Sequence, residues 1–338
     1  MRSRLAAILV ALLLLSLLPG AVAAARPASL QAAAHARVLA YWTPARLRAA
    51  TPRDYTFDAV RGFQPAAKPG GGGGSGTTTG ASWNGGGDML RGSGKVWFTI
   101  GGADYICSGS VVREAKSNQA IVLTAGHCVV ENDGTFATNF VFIPAFDTKP
   151  TYTCANTQYG CWVADALYAD KAFATAGGFN DTAVQHDWAF AVVSGGGFNG
   201  TTQLNAAVGD GFPIQFNRSF AGQTLSAFGY PAAGKYRGSD LVYCRGTVGT
   251  DANTGGTTWS MPCGMTGGSS GGPWVEASTT SGSGAYAYAT TTLSSLNSYG
   301  YSGVKNMYGP KFNDRTQATF DAADSGTLPS TVVRTFLP

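Results

Sequence analysis

From Gly94 onward the chain consists of short strand-like runs separated by glycines and polar turns. The clearest runs are residues 95–100, 105–112, 120–124, 140–143, 188–193, 224–228, 241–244, 273–277, 285–293 and 303–307. Apolar runs of this length and spacing are typical of closed or sandwiched antiparallel sheets. With 47 glycines and only 12% charged residues, the composition also favours an all-β fold over a helical one. One late helix is predicted over residues 313–323, with Asn313 as its N-cap.

The N-terminus has the pattern of a secretory signal over residues 1–25. Arg2 and Arg4 provide a positive start, residues 6–18 an apolar core, and residues 21–25 a run of small side chains suited to cleavage. A membrane anchor is the alternative, but the apolar core is short for a bilayer span. The sequence therefore predicts an extracellular protein whose mature form has no membrane attachment.

Residues 26–69 are rich in alanine and arginine and contain no cysteine. Residues 30–39 and 45–50 could form short helices without an obvious shared core. We interpret this stretch as a pro-segment that acts as an inhibitor or a folding aid, with a disordered spacer as the alternative. Residues 70–91 are predicted to be a Gly-rich linker and processing region, with Arg91 as a candidate cleavage point. Residues 92–338 would then form the main domain.

Charge and cysteine content exclude two classes of function. The formal charge is +4, but nine Lys/Arg and only two acidic residues lie in residues 1–75, which leaves residues 76–338 with a net charge of −3. That balance argues against a nucleic-acid partner. The six cysteines, an even count in an exported chain, predict three disulfides among fifteen combinations. Because there is no Cys-x-x-Cys pair and there are three histidines, neither a metal nor another cofactor is expected.

Three polar residues close to the ends of these runs could take part in catalysis. Ser270 lies among small residues, which let backbone amides point into a site, although a Gly/Ser linker would look similar. His127 ends an apolar strand and would be fixed by a bridge at Cys128, but a histidine there is often structural. Asp187 opens an apolar strand, where a buried carboxylate needs a partner such as a histidine N–H; a turn aspartate is the alternative.

Residues 124–128 (TAGHC), 187–190 (DWAF) and 268–273 (GSSGGP) together resemble the His, Asp and Ser motifs of the trypsin-like, chymotrypsin-fold serine endopeptidases, in that family's chain order. The segment 107–112 resembles the family's strand before the histidine. The resemblance covers roughly residues 92–310. It implies two antiparallel six-stranded β-barrels with the active site in the cleft between them, together with a short C-terminal helix.

The resemblance also implies roles. Ser270 would be the nucleophile, His127 the general base and Asp187 the residue that orients it, while the amides of Gly268 and Ser270 would form the oxyanion hole. It implies bridges between Cys107 and Cys128 and between Cys244 and Cys263, which leaves Cys154 with Cys161. We expect a monomer that acts on protein or peptide substrates. A catalytically inactive binding or adhesion module on the same fold is the alternative, and an esterase or lipase ranks lower because the chain lacks both a Gly-x-Ser-x-Gly elbow between a strand and a helix and the Ser, Asp, His chain order of those enzymes.

Two departures, at Ser269 and Gly264, separate this chain from the digestive members of the family. Gly264 stands at the family's primary specificity position, where there is no aspartate to attract Lys or Arg. Ser269 replaces the aspartate that pairs with a new N-terminus in those enzymes, so activation by that route is not expected. The looser pattern is closest to the secreted bacterial glutamyl-endopeptidase-like branch, although no histidine follows His186 to recognise glutamate. The predicted substrate pocket contains Gly264, Met265, Ser295 and Asn297. It would accept a small to medium uncharged side chain.

Overall fold

The computed structural model describes residues 28–58, 61–65, 80–116, 120–146, 153–197 and 201–337. The predicted signal (1–25) and most of the predicted linker lie outside these residues. We call residues 28–58 and 61–65 the leader segment. Its elements are α1 (Ala28–Tyr41), α2 (Pro44–Ala49), β1 (Thr51–Pro52), β2 (Tyr55–Asp58) and β3 (Gly62–Pro65).

The two leader helices match the two short helices expected from the sequence, and both pack against the main body. Val38, Trp42 and Leu47 are buried in the same apolar cluster as the strands of the first barrel. Thr43 caps α2 by accepting a hydrogen bond from the Arg46 amide, and proline is tolerated at the first helical positions. The helices need no core of their own because they use the surface of the barrel.

Residues 80–92 are part of the folded body, although the sequence assigned most of them to the linker. They form β4 (Ala81–Ser82), which pairs with a strand of the second barrel, and α3 (Gly87–Gly92). Met89 is fully buried, and the Trp83 ring packs edge-on against Phe228. Arg91, the candidate cleavage point, lies within α3 and pairs with Asp88.

Six antiparallel strands close into the first barrel, in the order β6-β5-β8-β9-β10-β7, with β7 pairing back to β6. They are β5 (Ser93–Ile100), β6 (Ala103–Val112), β7 (Ile121–Thr124), β8 (Thr138–Pro144), β9 (Trp162–Asp170) and β10 (Ala189–Ser194). The connections include α4 (Lys171–Ala174) and α5 (Asp181–Gln185). Sequence reasoning missed β9. Its side chains Trp162 and Leu167 are fully buried and help to fill the apolar core of the barrel.

The second barrel-like domain is built from two further sheets. After α6 (Leu204–Val208) come β11 (Thr224–Gly229), β12 (Val242–Thr247), β13 (Gly249–Thr250), β14 (Thr258–Pro262), β15 (Pro273–Ala277), β16 (Thr291–Leu296), β17 (Tyr299–Tyr301) and β18 (Asn306–Pro310). One sheet has the order β16-β15-β11-β12-β4 and the other β13-β14-β18-β17-β2-β3. Two leader strands thus extend the second sheet.

The chain ends with α7 (Asp314–Ser325) and β19 (Val332–Phe336), which pairs with β9. Asn313 and Thr316 form a reciprocal capping box at the start of α7, which confirms the helix and the N-cap predicted from sequence. The all-β fold with two barrels and a short C-terminal helix is likewise confirmed.

Three disulfides join Cys107 to Cys128, Cys154 to Cys161 and Cys244 to Cys263, the pairing that the family resemblance implied. The first bridge ties β6 to the turn that carries His127. Within the described ranges, no helix has the length and apolar character needed to cross a lipid bilayer.

Candidate active site

His127 and Asp187 form a buried pair at one side of the cleft between the barrels. His127 lies in the 3₁₀ turn Gly126–Cys128 directly after β7, and Asp187 lies just before β10. The His127 amide and its Nδ1 contact the two Asp187 carboxylate oxygens, each at 2.8 Å. Ser298 Oγ donates a further hydrogen bond to Asp187. Three donors therefore compensate the burial of a carboxylate that has no solvent exposure.

Ser270 lies on a tight turn that fits closely against the first barrel. A Cβ on Gly271, whose φ is +80°, would lie 2.2 Å from Thr124 Oγ1 and 2.4 Å from Ser108 O. A Cβ on Gly272 would lie 2.1 Å from Phe228 O. The two glycines after the serine are thus required by close approach. The Ser108 amide donates to Ser270 O at 2.7 Å and fixes the turn to β6.

Asp54 of the leader segment occupies the space in front of Ser270. Ser270 Oγ donates to Asp54 Oδ1 at 2.7 Å, and the Gly268 amide donates to Asp54 Oδ2 at 3.1 Å. Next to it, Arg53 O lies 3.1 Å from His127 Nε2. Residues from the first barrel, the second barrel and the leader therefore meet at one point.

Sequence reasoning did not find Asp54. The available signal was weak: Asp54 and Asp58 are the two acidic residues among residues 1–75. Nothing in the local pattern indicates that this part of the leader reaches the cleft, because the contact depends on pairing with strands far along the chain.

The charges around Asp54 act in opposite directions. Burial raises the pKa of the Asp54 carboxyl, while the Ser270 hydroxyl, His127, the Gly268 amide and Arg53 each favour its ionised form. The His127 ring has an acceptor at both nitrogens, Asp187 at Nδ1 and Arg53 O at Nε2. Both contacts are hydrogen bonds only when the ring carries two protons, and that form cannot accept a third.

A cavity of about 630 Å³ adjoins the Ser270 turn. Gly264 and Met265, two of the predicted pocket residues, line it, and its far side is formed by residues around β17 and the start of β18. Its charged lining side chains are Lys235, Lys305 and Asp54, and the last belongs to the leader. Without Asp54, the only charged side chains among the residues that line the cavity would be the two lysines.

Ser295 and Asn297, the other two predicted pocket residues, lie behind this cavity. Both are fully buried. Ser295 Oγ donates to Pro310 O at 2.7 Å, and Asn297 accepts from Trp274 Nε1 at 2.8 Å. The wall that the sequence assigned to them is formed instead by Tyr299 and the residues that follow it.

Among the described residues, Cys107, His127 and Cys128 form the one grouping of potential metal ligands. Their two sulfurs are joined in a disulfide, so neither is a thiolate. The grouping therefore offers one imidazole, which already bonds to Asp187.

The solved structure of a thermostable serine protease, AL20, from an extremophilic microorganism is 38% identical to this chain. The similarity covers 71% of this chain and 100% of that one, with a TM-score of 0.59. The chain belongs to the trypsin-like, chymotrypsin-fold serine protease family.

Two other solved structures are also similar to this chain. The protease Anisep from Arthrobacter nicotinovorans is 40% identical over 70% of this chain and 96% of its own, with a TM-score of 0.57. A Glu endopeptidase shares the fold at 17% identity, over 74% of this chain and 98% of its own, with a TM-score of 0.53. No protein-family model and no curated protein matches this serine protease.

Proposed function

We propose that this chain is the precursor of a secreted serine endopeptidase that works through Ser270, His127 and Asp187. The observation that carries the proposal is the convergence of Ser270 Oγ and the Gly268 amide on one carboxylate, beside a histidine paired to a buried aspartate. A hydroxyl and an amide that meet at one oxygen-rich ligand are suited to a peptide carbonyl and to the oxyanion it becomes.

In the proposed reaction, Ser270 Oγ attacks the carbonyl carbon of the peptide bond while His127 Nε2 takes the hydroxyl proton. The Gly268 and Ser270 amides stabilise the oxyanion, and His127 then gives the proton to the departing amine. Water hydrolyses the acyl-enzyme by the same steps in reverse. Asp187 keeps the His127 Nδ1 proton in place and stabilises the imidazolium.

The proposed organisation is a signal over residues 1–25, a pro-segment over 26–69, a processing region that follows, and a protease domain. Because residues 80–92 are packed into the body, we place the start of the mature chain before residue 80 rather than at Arg91. Three disulfides are consistent with an oxidising, extracellular location.

For the substrate, we propose protein or peptide chains with an uncharged side chain at the cleaved position. Gly264 and Met265 bring no charge to the cavity, and once Asp54 is gone its lysines disfavour Lys or Arg in the substrate. Cleavage of a mixed peptide library, followed by mass spectrometry, tests this preference. Cuts mainly after basic residues would contradict it.

The Ser270→Ala variant tests the reaction itself. We expect casein and peptide hydrolysis by the processed protein to fall about 10⁴-fold or more, since the nucleophile is lost while the fold remains. Ser278→Ala, at an exposed serine of the same domain, is the matched control and should retain full activity. Unchanged hydrolysis by Ser270→Ala would refute the proposal.

A fluorophosphonate probe separates an enzyme from an inactive binding module, because it labels only an activated serine. We expect the processed protein to be labelled at Ser270, located by peptide mapping. A correctly folded, disulfide-bonded protein that stays unlabelled would favour the binding module.

A further inference from the structure

The leader segment crosses the cleft as an extended strand that bridges the two barrels. β1 pairs in parallel with β6, with Thr51 opposite Tyr105, and β2 pairs in parallel with β17, with Tyr55 opposite Tyr299. Arg53 and Asp54 lie between the two paired stretches. Backbone pairing on both sides therefore fixes their position at the candidate active site.

Asp54 presents a group that the site can bind but cannot cleave. Its carboxylate takes the Ser270 Oγ and Gly268 N–H hydrogen bonds, which the proposed mechanism reserves for a peptide carbonyl. A carboxylate is a poor electrophile and carries no amine leaving group, so no acyl-enzyme follows. Gly267 provides the space, since a Cβ there would lie 2.1 Å from Asp54 Oδ2.

Arg53 holds the histidine side of the cleft. Its carbonyl oxygen accepts from His127 Nε2, and its side-chain Nε donates to His127 O at 2.8 Å. Its Nη2 forms a 2.6 Å ion pair with Glu131, and the guanidinium side chain is only 10% exposed. His127 is thereby engaged through both its backbone and its ring.

Aromatic packing and the leader helices add further attachment. The Tyr55 ring stacks on Phe179 at 3.9 Å between centroids. In α1, His35 Nε2 lies 2.7 Å from Asp165 Oδ1 of β9. In α2, Leu47 O accepts from Trp97 Nε1 of β5 at 3.1 Å. The Tyr55 and Phe179 rings also contact His127 edge-on, whereas the two helix contacts are made with strands of the first barrel and do not involve Ser270.

We propose that Arg53 and Asp54 form an inhibitory element, which keeps the precursor inactive by occupying the nucleophile, the oxyanion site and the general base together. That the precursor is kept inactive rests on the proposed function, whereas the docking of the leader in the cleft does not. Asp54 accepts hydrogen bonds from Ser270 Oγ and the Gly268 amide, while the carbonyl oxygen of Arg53 occupies His127 Nε2. Release of one strand would free all three groups.

The first test measures fluorophosphonate labelling of the full-length precursor, resolved from processed forms by intact mass. Asp54→Ala should be labelled about 10-fold faster or more than wild type, because a buried, charge-assisted pair of hydrogen bonds is lost. Asp54→Asn, which keeps one acceptor oxygen, should lie between them. Asp58→Asn is the matched control at the outer end of β2 and should behave as wild type. Equal rates for wild type and Asp54→Ala would overturn the proposal.

The second test reads docking without catalysis. In a Ser270→Ala background, with the full-length chain verified by intact mass, hydrogen exchange is measured over residues 53–58 and 299–301. Adding Asp54→Ala should accelerate exchange in both stretches and leave β5 unchanged. Unchanged exchange over residues 53–58 and 299–301 would overturn the proposal. A different result would separate the two proposals. If Asp54→Ala accelerates exchange but the processed wild-type protein is never labelled by the probe, the leader binds the cleft and the proposed enzymatic function is wrong.

Discussion

The two sides of the cleft differ in the origin of the groups that satisfy their polar atoms. Asp187 is bonded by His127 and Ser298, which both belong to the barrels. Ser270 Oγ and the Gly268 amide are instead bonded to Asp54, which comes from the leader. The aspartate side is thus complete within the protease body, whereas the serine side is completed by a segment that cleavage could remove.

This difference explains how the precursor could hold a finished site without using it. None of the three donors to Asp187 comes from the leader, so we expect these hydrogen bonds to persist when the leader is removed. The leader engages His127 Nε2, Ser270 Oγ and Gly268 N, together with the His127 backbone oxygen. Activation would then require removal of one strand and no rebuilding of the interior.

The largest expected effect comes from the aspartate side of the cleft, which the barrels complete without the leader. Asp187→Asn keeps the shape of the side chain but presents an N–H toward His127 Nδ1, which stabilises the wrong tautomer. We expect hydrolysis by the processed protein to fall about 10⁴-fold at neutral pH. Asp181→Asn, at an exposed position in α5, is the control. Near-normal activity of Asp187→Asn would mean that this side does not act as proposed.

The next effect concerns the framework of the serine side. Gly271→Ala forces a Cβ into backbone and side-chain atoms of the first barrel at a positive φ. We expect a loss of about 2–4 kcal/mol in the free energy of unfolding, seen as a lower melting temperature. Gly284→Ala, where an added Cβ has open space, is the matched control. If Gly271→Ala melts like its control, the Ser270 turn is not held as tightly as the packing indicates.

The fold could be predicted from sequence where the signal is local. The strand run at 105–112 and the capped helix after Asn313 were both located within a few residues. β9 was missed because its sequence mixes alanine with Asp165, which pairs with His35 of the leader, so its alternation is weak. β1 and β2 were missed because their partners, β6 and β17, lie far along the chain, and no periodicity encodes such pairing.

The same division holds for the candidate site. Motifs with fixed spacing identified His127, Asp187 and Ser270, and the structure brings them to one cleft. Asp54 carries no motif, since its role depends on where the leader crosses the barrels. Ser295 and Asn297, which were assigned to the pocket, are buried and bonded to Pro310 and Trp274, while Tyr299 lines the cavity.

The smallest expected effect is a pH dependence of leader docking. Burial raises the pKa of Asp54 in the docked state, against the combined influence of Ser270, His127, Gly268 and Arg53. The docked carboxyl therefore binds its proton more tightly than the free one. Docking is strongest below the ordinary aspartate pKa of about 3.9 and weakens as pH rises through the raised value.

The measurement is the labelling rate of the full-length precursor divided by that of the Asp54→Asn variant at each pH. The division cancels the pH dependence of the probe, which both proteins share, and the amide that replaces the carboxyl in the variant does not titrate. We expect the ratio to rise several-fold between about pH 4 and pH 7. A flat ratio would mean that the Asp54 proton does not contribute to docking. The ionised carboxylate would then hold Ser270 Oγ and Gly268 N by itself, and a larger increase in labelling for Arg53→Ala than for Asp54→Ala would show that the Arg53 contacts with His127 and Glu131 carry most of the inhibition.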